Sequence, residues 1–331
     1  MKAFAYVNAT TEKDALAALV PERGKVLPIA GGQDLLGLMK DYILQPDQLV
    51  NVKSLLSAIT VPAAGVAVLG AAARLADVAA NESLRSALPA LADAAAQVGT
   101  PQIRNAGTVG GNLCQRPRCW YFRNEEFRCL KKGGPVCYAV EGENQFHAIF
   151  GDGPCHIVHP SSLAVPLIAY DATLVVAGPK GERKVRAEEF FLPPDRRLNG
   201  ENVLEPNELI KQVMVPVGKN LKSAIYEVRY KQSHDWPIAF ATVALTMSGD
   251  RVEKARVVMG AVAPVPWRST AAEKALEGQP ISEATAIAAA DAAVANARPM
   301  SQNGYKVQVA HTAVKRAVLK AGGMLNPDGR G

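Results

Sequence analysis

Short apolar runs and helix-period patterns alternate along the chain. Residues 2–7 (KAFAYV), 25–29 (KVLPI), 48–52 (QLVNV) and 66–70 (VAVLG) have the length and branched content of strands. Between the first two, Thr11 with Asp14 three residues on predicts a capped helix running to Leu19. Leu35, Leu38 and Met39 mark the inner face of a helix that begins at Asp34. Residues 74–97 predict two helices split near Pro89. The stretch TPQIRNAGTVGGNLC that follows carries a proline and several glycines, and reads as a backbone-exposing loop. Residues 113–158 read as a long irregular segment, a length that in a compact chain points to function.

Residues 162–170 resume a helix, with a kink expected at Pro166. Strands are predicted at 173–177, 182–186 and 207–216, with a linker at 216–220. The pattern then changes. Residues 222–230, 237–248 and 251–263 predict three strands, the last two joined by a Gly249–Asp250 turn, and helices follow at 269–277, 282–296 and 304–322. Strands grouped before helices indicate an α+β chain. It divides into an N-terminal domain at 1–218 and a C-terminal one at 219–331.

Composition narrows the classes of function. The chain has 331 residues, 48% hydrophobic and 21% charged, which excludes disorder as its main state. Its net charge of +6 is mild and contains no run of five like charges, so no nucleic-acid partner is expected. The Ala-rich stretch 284–297 is too short and too polar to span a bilayer, so no membrane is expected either. The first twenty residues have no apolar h-region before their first charges, so a cytoplasmic location is expected.

Two turns carry candidate chemistry. Gly31 and Gly32 lie between a strand and a helix, where a tight turn can aim N–H groups at one anion, as pyrophosphate binding requires. A plain structural turn fits the same pattern. The second turn, Thr108 to Asn112 around Gly110 and Gly111, gives a similar signal, and the two together could grip both ends of a dinucleotide. No residue stands out as catalytic.

All five cysteines lie between Cys114 and Cys155, which does not read as a disulfide framework. Cys119, Cys129, Cys137 and Cys155 contain no C-x-x-C pair, the spacing usual in structural zinc and thioredoxin-like sites. A [4Fe–4S] cluster takes four thiolates from scattered loop positions. On spacing, a cluster, a zinc site and unligated thiols all stay open. His147, His156 and His159 are the histidines available to zinc, and each also fits an ordinary polar loop residue. Arg116, Arg118, Arg123, Arg128, Lys131 and Lys132 surround the cysteines with charge that would offset four thiolates. Cys114 reads as a buried free thiol.

The ordered set AGGQDLLGLMK, RNAGTVGGN, HPSSLAV and YEVRYKQSHDWPIA resembles the FAD-binding subunit of xanthine dehydrogenase-type molybdenum hydroxylases, over nearly the whole chain. The insert QRPRCWYF…RCLKKGGPVC…GPCHIVHPS, about 113–158, is similar to the subgroup whose flavin subunit also carries a [4Fe–4S] cluster, with spacing of the aldehyde oxidase type. The resemblance implies a PCMH-type two-subdomain FAD-binding fold, followed by a carbon monoxide dehydrogenase flavoprotein-like C-terminal domain. It implies FAD contacts from Ile29, Ala30, Gly31, Gly32, Gln33, Asp34 and Leu35, and from Thr108, Val109, Gly110, Gly111 and Asn112. Ser162 stands where the family has an aspartate that contacts the nucleotide, Arg229 lies next to the position of a family lysine, and Ile210 matches a backbone contact position. The resemblance assigns Cys119, Cys129, Cys137 and Cys155 to the cluster and leaves Cys114 out.

What the resemblance implies for function is electron transfer. A molybdenum-cofactor large subunit would oxidise the organic substrate, and a small subunit with two [2Fe–2S] clusters would pass electrons to FAD in a heterotrimer. A partner's twin-Arg signal could carry such a complex to the periplasm. Two rival readings are a stand-alone FAD oxidase of the vanillyl-alcohol-oxidase superfamily, with His147 or His159 as base, and a zinc-stabilised binding module.

Overall fold

The computed structural model describes residues 1–231 and 234–325. Gln232 and Ser233 of the YEVRYKQSHDWPIA motif therefore lie outside the described residues. In chain order the elements begin β1 (Ala5–Asn8), α1 (Glu12–Ala18), β2 (Val26–Ile29), α2 (Leu35–Lys40), β3 (Gln48–Asn51), β4 (Ile59–Thr60) and β5 (Gly65–Gly70). Helices α3 (Leu75–Ala80), α4 (Glu82–Ala87), α5 (Pro89–Gln97), α6 (Pro101–Ala106), α7 (Val109–Leu113) and α8 (Trp120–Arg123) follow. After the cysteine-bearing segment come α9 (Ala164–Ala169), β6 (Thr173–Gly178), β7 (Gly181–Arg186), α10 (Ala187–Phe190) and β8 (Leu209–Val217). The chain closes with β9 (Leu221–Val228), β10 (Ala239–Ser248), β11 (Arg251–Gly260), β12 (Trp267–Arg268), α11 (Thr270–Leu276), α12 (Glu283–Val294) and α13 (Tyr305–Ala321).

These elements form an α+β fold with three sheets. The first is parallel in the order β1-β3-β2, and its crossovers are the capped helix α1 and the glycine turn with α2. The capping box read at Thr11 and Asp14 is present, each side chain reaching the other's backbone N–H. The second sheet, β4-β5-β8-β6-β7, is antiparallel and packs on helices α3 to α5. The third, β12-β11-β10-β9, explains the near-continuous apolar run of β10. Ala239, Ala241, Val243 and Leu245 face α11 to α13, while Phe240 and Ala244 join the core of the second sheet. Both faces are buried, so alternation with polar residues is lost.

Local chemistry overrides three sequence expectations. Residues 74–97 form three helices, because Asn81 accepts from the Leu84 N–H and starts a new helix inside the first expected one. The expected loop TPQIRNAGTVGGNLC is two short helices. Thr100 caps α6 with Pro101 in its first turn, and Thr108 caps α7 by accepting from the Gly111 N–H. Pro166 makes no kink, since it falls in the first turn of α9, where no helical N–H is needed.

Candidate functional site

The end of β2, its turn into α2, and the α6–α7 corner enclose a cavity of about 550 Å³. Ile29, Ala30, Gly31, Gly32, Gln33, Asp34, Leu35, Thr108, Gly111, Asn112, Ser162 and Arg229 all line it, although they come from four distant parts of the chain. Val109 and Gly110 do not. Val109 is buried in the core, and the Gly110 N–H donates to the Ala71 carbonyl at 2.7 Å. Ile210 lies inside β8, paired with Val176 in the second sheet, and does not reach the cavity.

The two glycine turns differ in what they offer a ligand. In the second, the N–H groups of Val109, Gly110, Gly111 and Asn112 are all taken by Ala73, Ala71 and Thr108, so that turn offers a ligand side chains and close approach rather than N–H donors. In the first, among the described residues, the N–H groups of Gly31, Gly32, Gln33 and Asp34 donate to no protein acceptor. Such donors need an anion or water. Gly31 is required by a close approach, since a Cβ there would sit 2.0 Å from the Ala106 carbonyl oxygen. Gly32 takes the left-handed region at φ +67°.

Asp34 does not cap α2 with its side chain. Its Oδ1 lies 2.6 Å from both Arg118 Nη1 and Arg123 Nη2, and its Oδ2 accepts from the Arg116 N–H at 2.8 Å. The carboxylate thus ties the turn to the start of the cysteine segment. Burial pulls the Arg118 guanidinium down to about 10, against the pull of Asp34, and Arg118 also stacks 4.7 Å over Trp236. The serine pair divides its work. Ser161 Oγ donates to Asn112 Oδ1 at 2.7 Å and accepts from the Ala164 N–H, while Ser162 faces the cavity. Arg229 pairs with the buried Glu227, whose carboxyl is pushed up by desolvation, and donates to the Gln97 carbonyl.

A second, much smaller cavity lies beyond α8. Cys119, Cys129, Cys137 and Cys155 all line it, with Tyr121, Phe122, Lys131, Tyr138 and His147. Cys114 lies apart and lines the large cavity, where burial pushes its thiol up to about 12. Nearby backbone amides favour the charged form of three of these sulfurs: Tyr121 and Phe122 at Cys119, Ala139 and His156 at Cys137, and Ile157 at Cys155. Burial nonetheless lifts the Cys119 thiol to about 11. The two thiols Cys137 and Cys155 share one proton, which holds Cys137 below the ordinary thiol range and Cys155 above it. Among the described residues, no three His, Cys, Asp or Glu side chains group tightly enough to hold a single metal ion.

Of the three histidines, His147 Nε2 is 3.3 Å from Cys119 Sγ, and burial lowers its ring to about 4. His159 is buried against Phe191, and its Nδ1 accepts from the Ser161 N–H. His156 stands next to Cys155, and its carbonyl accepts from the Ala148 N–H at 2.9 Å. Neither His147 nor His159 lines the large cavity, so neither is placed as a base there.

The basic residues of the segment were expected to offset the thiolates, and most are instead matched by acids. Arg118 and Arg123 are taken by Asp34, and Arg116 and Lys131 by Glu201. Glu201 carried no sequence signal. Nor did the residues that fasten the segment to the C-terminal part. Asn144 donates to Ser301 Oγ and exchanges bonds with Gln302, Asn303 donates to the His147 and Ala148 carbonyls, and Lys306 Nζ donates to the carbonyls of Phe146, His147 and Ala261.

Comparison with known proteins adds to this geometry. Residues 2–218 match the FAD binding domain in molybdopterin dehydrogenase, and residues 224–321 match the CO dehydrogenase flavoprotein C-terminal domain. The chain is 34% identical to the aldehyde oxidoreductase FAD-binding subunit PaoB of Escherichia coli (strain K12), covering 97% of this chain and 99% of that one. It is 28% identical to the carbon monoxide dehydrogenase medium chain of Hydrogenophaga pseudoflava, covering 96% of each. In three dimensions it is similar to carbon monoxide dehydrogenase from Hydrogenophaga pseudoflava, with a TM-score of 0.76, over 97% of this chain and 98% of that one. Quinoline 2-oxidoreductase from Pseudomonas putida 86 shares the fold, with a TM-score of 0.75 over 98% and 99%. No described helix is long and apolar enough to cross a membrane.

Proposed function

The chain belongs to the FAD-binding subunits of molybdopterin-dependent dehydrogenases, and from that premise we propose that it passes electrons between partner subunits and an external acceptor. The large cavity is the proposed FAD site. The observation that carries this reading is the row of unpaired N–H groups at Gly31 to Asp34 opening into it. Those groups, with the arginines that Asp34 positions, would hold the pyrophosphate. Thr108, Asn112, Ser162 and Arg229 would supply further polar contacts, and Leu35, Leu38 and Ile103 an apolar wall that excludes water. Bound FAD supplies the exchange between one-electron and two-electron carriers.

The small cavity is the proposed [4Fe–4S] site. Four thiols converge on one space, and nearby backbone amides favour the thiolate form at three of them, a donor set suited to a cluster. A cluster spreads its four ligands around four irons, whereas a zinc ion gathers them around one. Aromatic rings shield the space: Tyr121 packs against Phe127 and Tyr138, and Trp120 against His147. We assign residues 1–218 to flavin binding and 219–331 to the C-terminal domain. A molybdenum-cofactor subunit and a [2Fe–2S] subunit complete the proposed heterotrimer. The relatives named for aldehyde and carbon monoxide oxidation support such an assembly.

The test is the visible spectrum, iron and acid-labile sulfide of the anaerobically purified chain. The expected result is flavin bands and about four irons per chain. Flavin without iron removes the cluster, and iron without flavin removes the FAD assignment. Cys119→Ser is expected to lose the iron and keep FAD.

A further inference from the structure

We propose that Glu201 couples the two cavities as a positioning residue shared by both, an inference that rests on FAD occupying the larger one. Its carboxylate lies between two cations that belong to different walls. Oε2 is 2.5 Å from Arg116 Nε, and Arg116 lines the large cavity. Oε1 is 2.7 Å from Lys131 Nζ, and Lys131 lines the cysteine cavity. The side chains of Glu201 and Lys131 are only 4% and 1% exposed, so solvent does not screen this pair.

Arg116 Nε and Glu201 Oε1 are both buried without a well-aligned hydrogen bond, so charge rather than directed bonding holds the triad together. Buried ionic triads are often no more stable than apolar replacements of the same volume. Stability is therefore a weak reason for this one, and its place is a better one. The Lys131 ammonium acts on Cys155, and the Glu201 carboxylate acts on Cys114 in the wall of the large cavity. A change of charge at the cysteine wall alters how firmly Lys131 holds Glu201, and so how firmly Glu201 holds Arg116. Lys131 also anchors the Glu201 loop by donating to the Leu198 carbonyl at 2.9 Å.

The experiment is a double-mutant cycle on the full chain, read as FAD affinity and as the midpoint potential of bound flavin. Lys131→Met, which does not touch the large cavity, is expected to change FAD affinity at least about threefold in the parent, with no such change in the Glu201→Gln background. The two single variants are expected to move the potential in opposite directions. Lys131→Met lowers it by removing a positive charge, and Glu201→Gln raises it by removing a negative one. Packing damage alone would not reverse sign. Lys131→Arg, which keeps the charge, is expected to restore parental affinity.

Equal FAD affinity in Lys131→Met and parent overturns the coupling. So does the same shift in both backgrounds. If Lys131→Met fails to fold, Glu201→Gln is compared with Glu205→Gln, an acid at the exposed surface, and no rise specific to position 201 overturns the proposal. A parent chain that binds no FAD overturns the proposed function itself, a different result from bound FAD with indifferent variants.

Discussion

The two cavities meet the chain within five residues of each other, Cys114 in the wall of the larger and Cys119 in that of the smaller, and are built by opposite means. The larger is walled by strand and helix ends with the turns that join them, whose backbones fit closely. Gly31 against the Ala106 carbonyl is the tightest example, and the capped helices α6 and α7 hold that fit. The smaller is walled by α8 and by largely irregular chain that no ladder of hydrogen bonds defines. Its shape comes from single ties between side chain and backbone, many of them from residues far along the sequence. Asn144 and Lys306 are among them, and both are fully buried. One site is held by steric exclusion, the other by polar satisfaction. Steric exclusion fails abruptly when an atom is added. Polar satisfaction fails when a donor is taken away.

The sharpest way to break this contrast is Gly31→Ala. The added Cβ cannot coexist with the Ala106 oxygen at 2.0 Å, so the turn must move. The expected cost is about 1–3 kcal/mol of stability. Loss of FAD binding by flavin fluorescence, with iron retained at the cysteine centre, is the expected result. A variant that binds FAD as the parent does would show that close fit is not what shapes the cavity.

Lys306→Met probes the other wall. It leaves the carbonyls of Phe146 and Ala261 without a donor and that of His147 with Asn303 alone, at about 1–3 kcal/mol. Iron retention is expected to fall while FAD binding holds. The same variant tests a pH dependence. Burial lowers the Lys306 ammonium from 10.5 to about 7, so above neutrality the unfolded chain binds more protons than the folded one. Stability is then expected to rise with pH from about 7 towards 10.5 in the parent, a slope that Lys306→Met should lack. Thermal melts across that range decide it, and equal slopes would sink the assignment. The smallest effect is expected at Cys114. Cys114→Ser should keep both groups, and the parental thiol, pushed up to about 12, should resist alkylation at neutral pH by mass spectrometry.

The legible features were those whose causes are local. The Thr11–Asp14 capping box, the strand of Val26–Ile29, and the grouping of four cysteines apart from Cys114 could each be read from spacing. The expected loop at TPQIRNAGTVGGNLC failed for a local reason too. Thr100-Pro101 and Thr108 are start signals for helices, and the glycines masked them. The rest depends on distance. Arg123 meets Asp34 across 89 residues, and Lys306 meets His147 across 159. Charge counting gave the cysteine segment an excess of cations. It could not show that Asp34 and Glu201 would consume them, because neither acid is near in sequence.

The ties from residues 301–306 to residues 144–148 also set a schedule. A chain emerging from the ribosome has every residue that lines the large cavity by Pro237. The cysteine segment, though complete by residue 155, must wait for Asn303 and Lys306 before the carbonyls of Phe146, His147 and Ala148 are satisfied. At about 5–20 residues per second that wait is roughly 7–30 s after Cys155 is made. During it the four thiols are open to whatever delivers or scavenges metal. The C-terminal helix that looks like a mere support is, in time, the door that closes last.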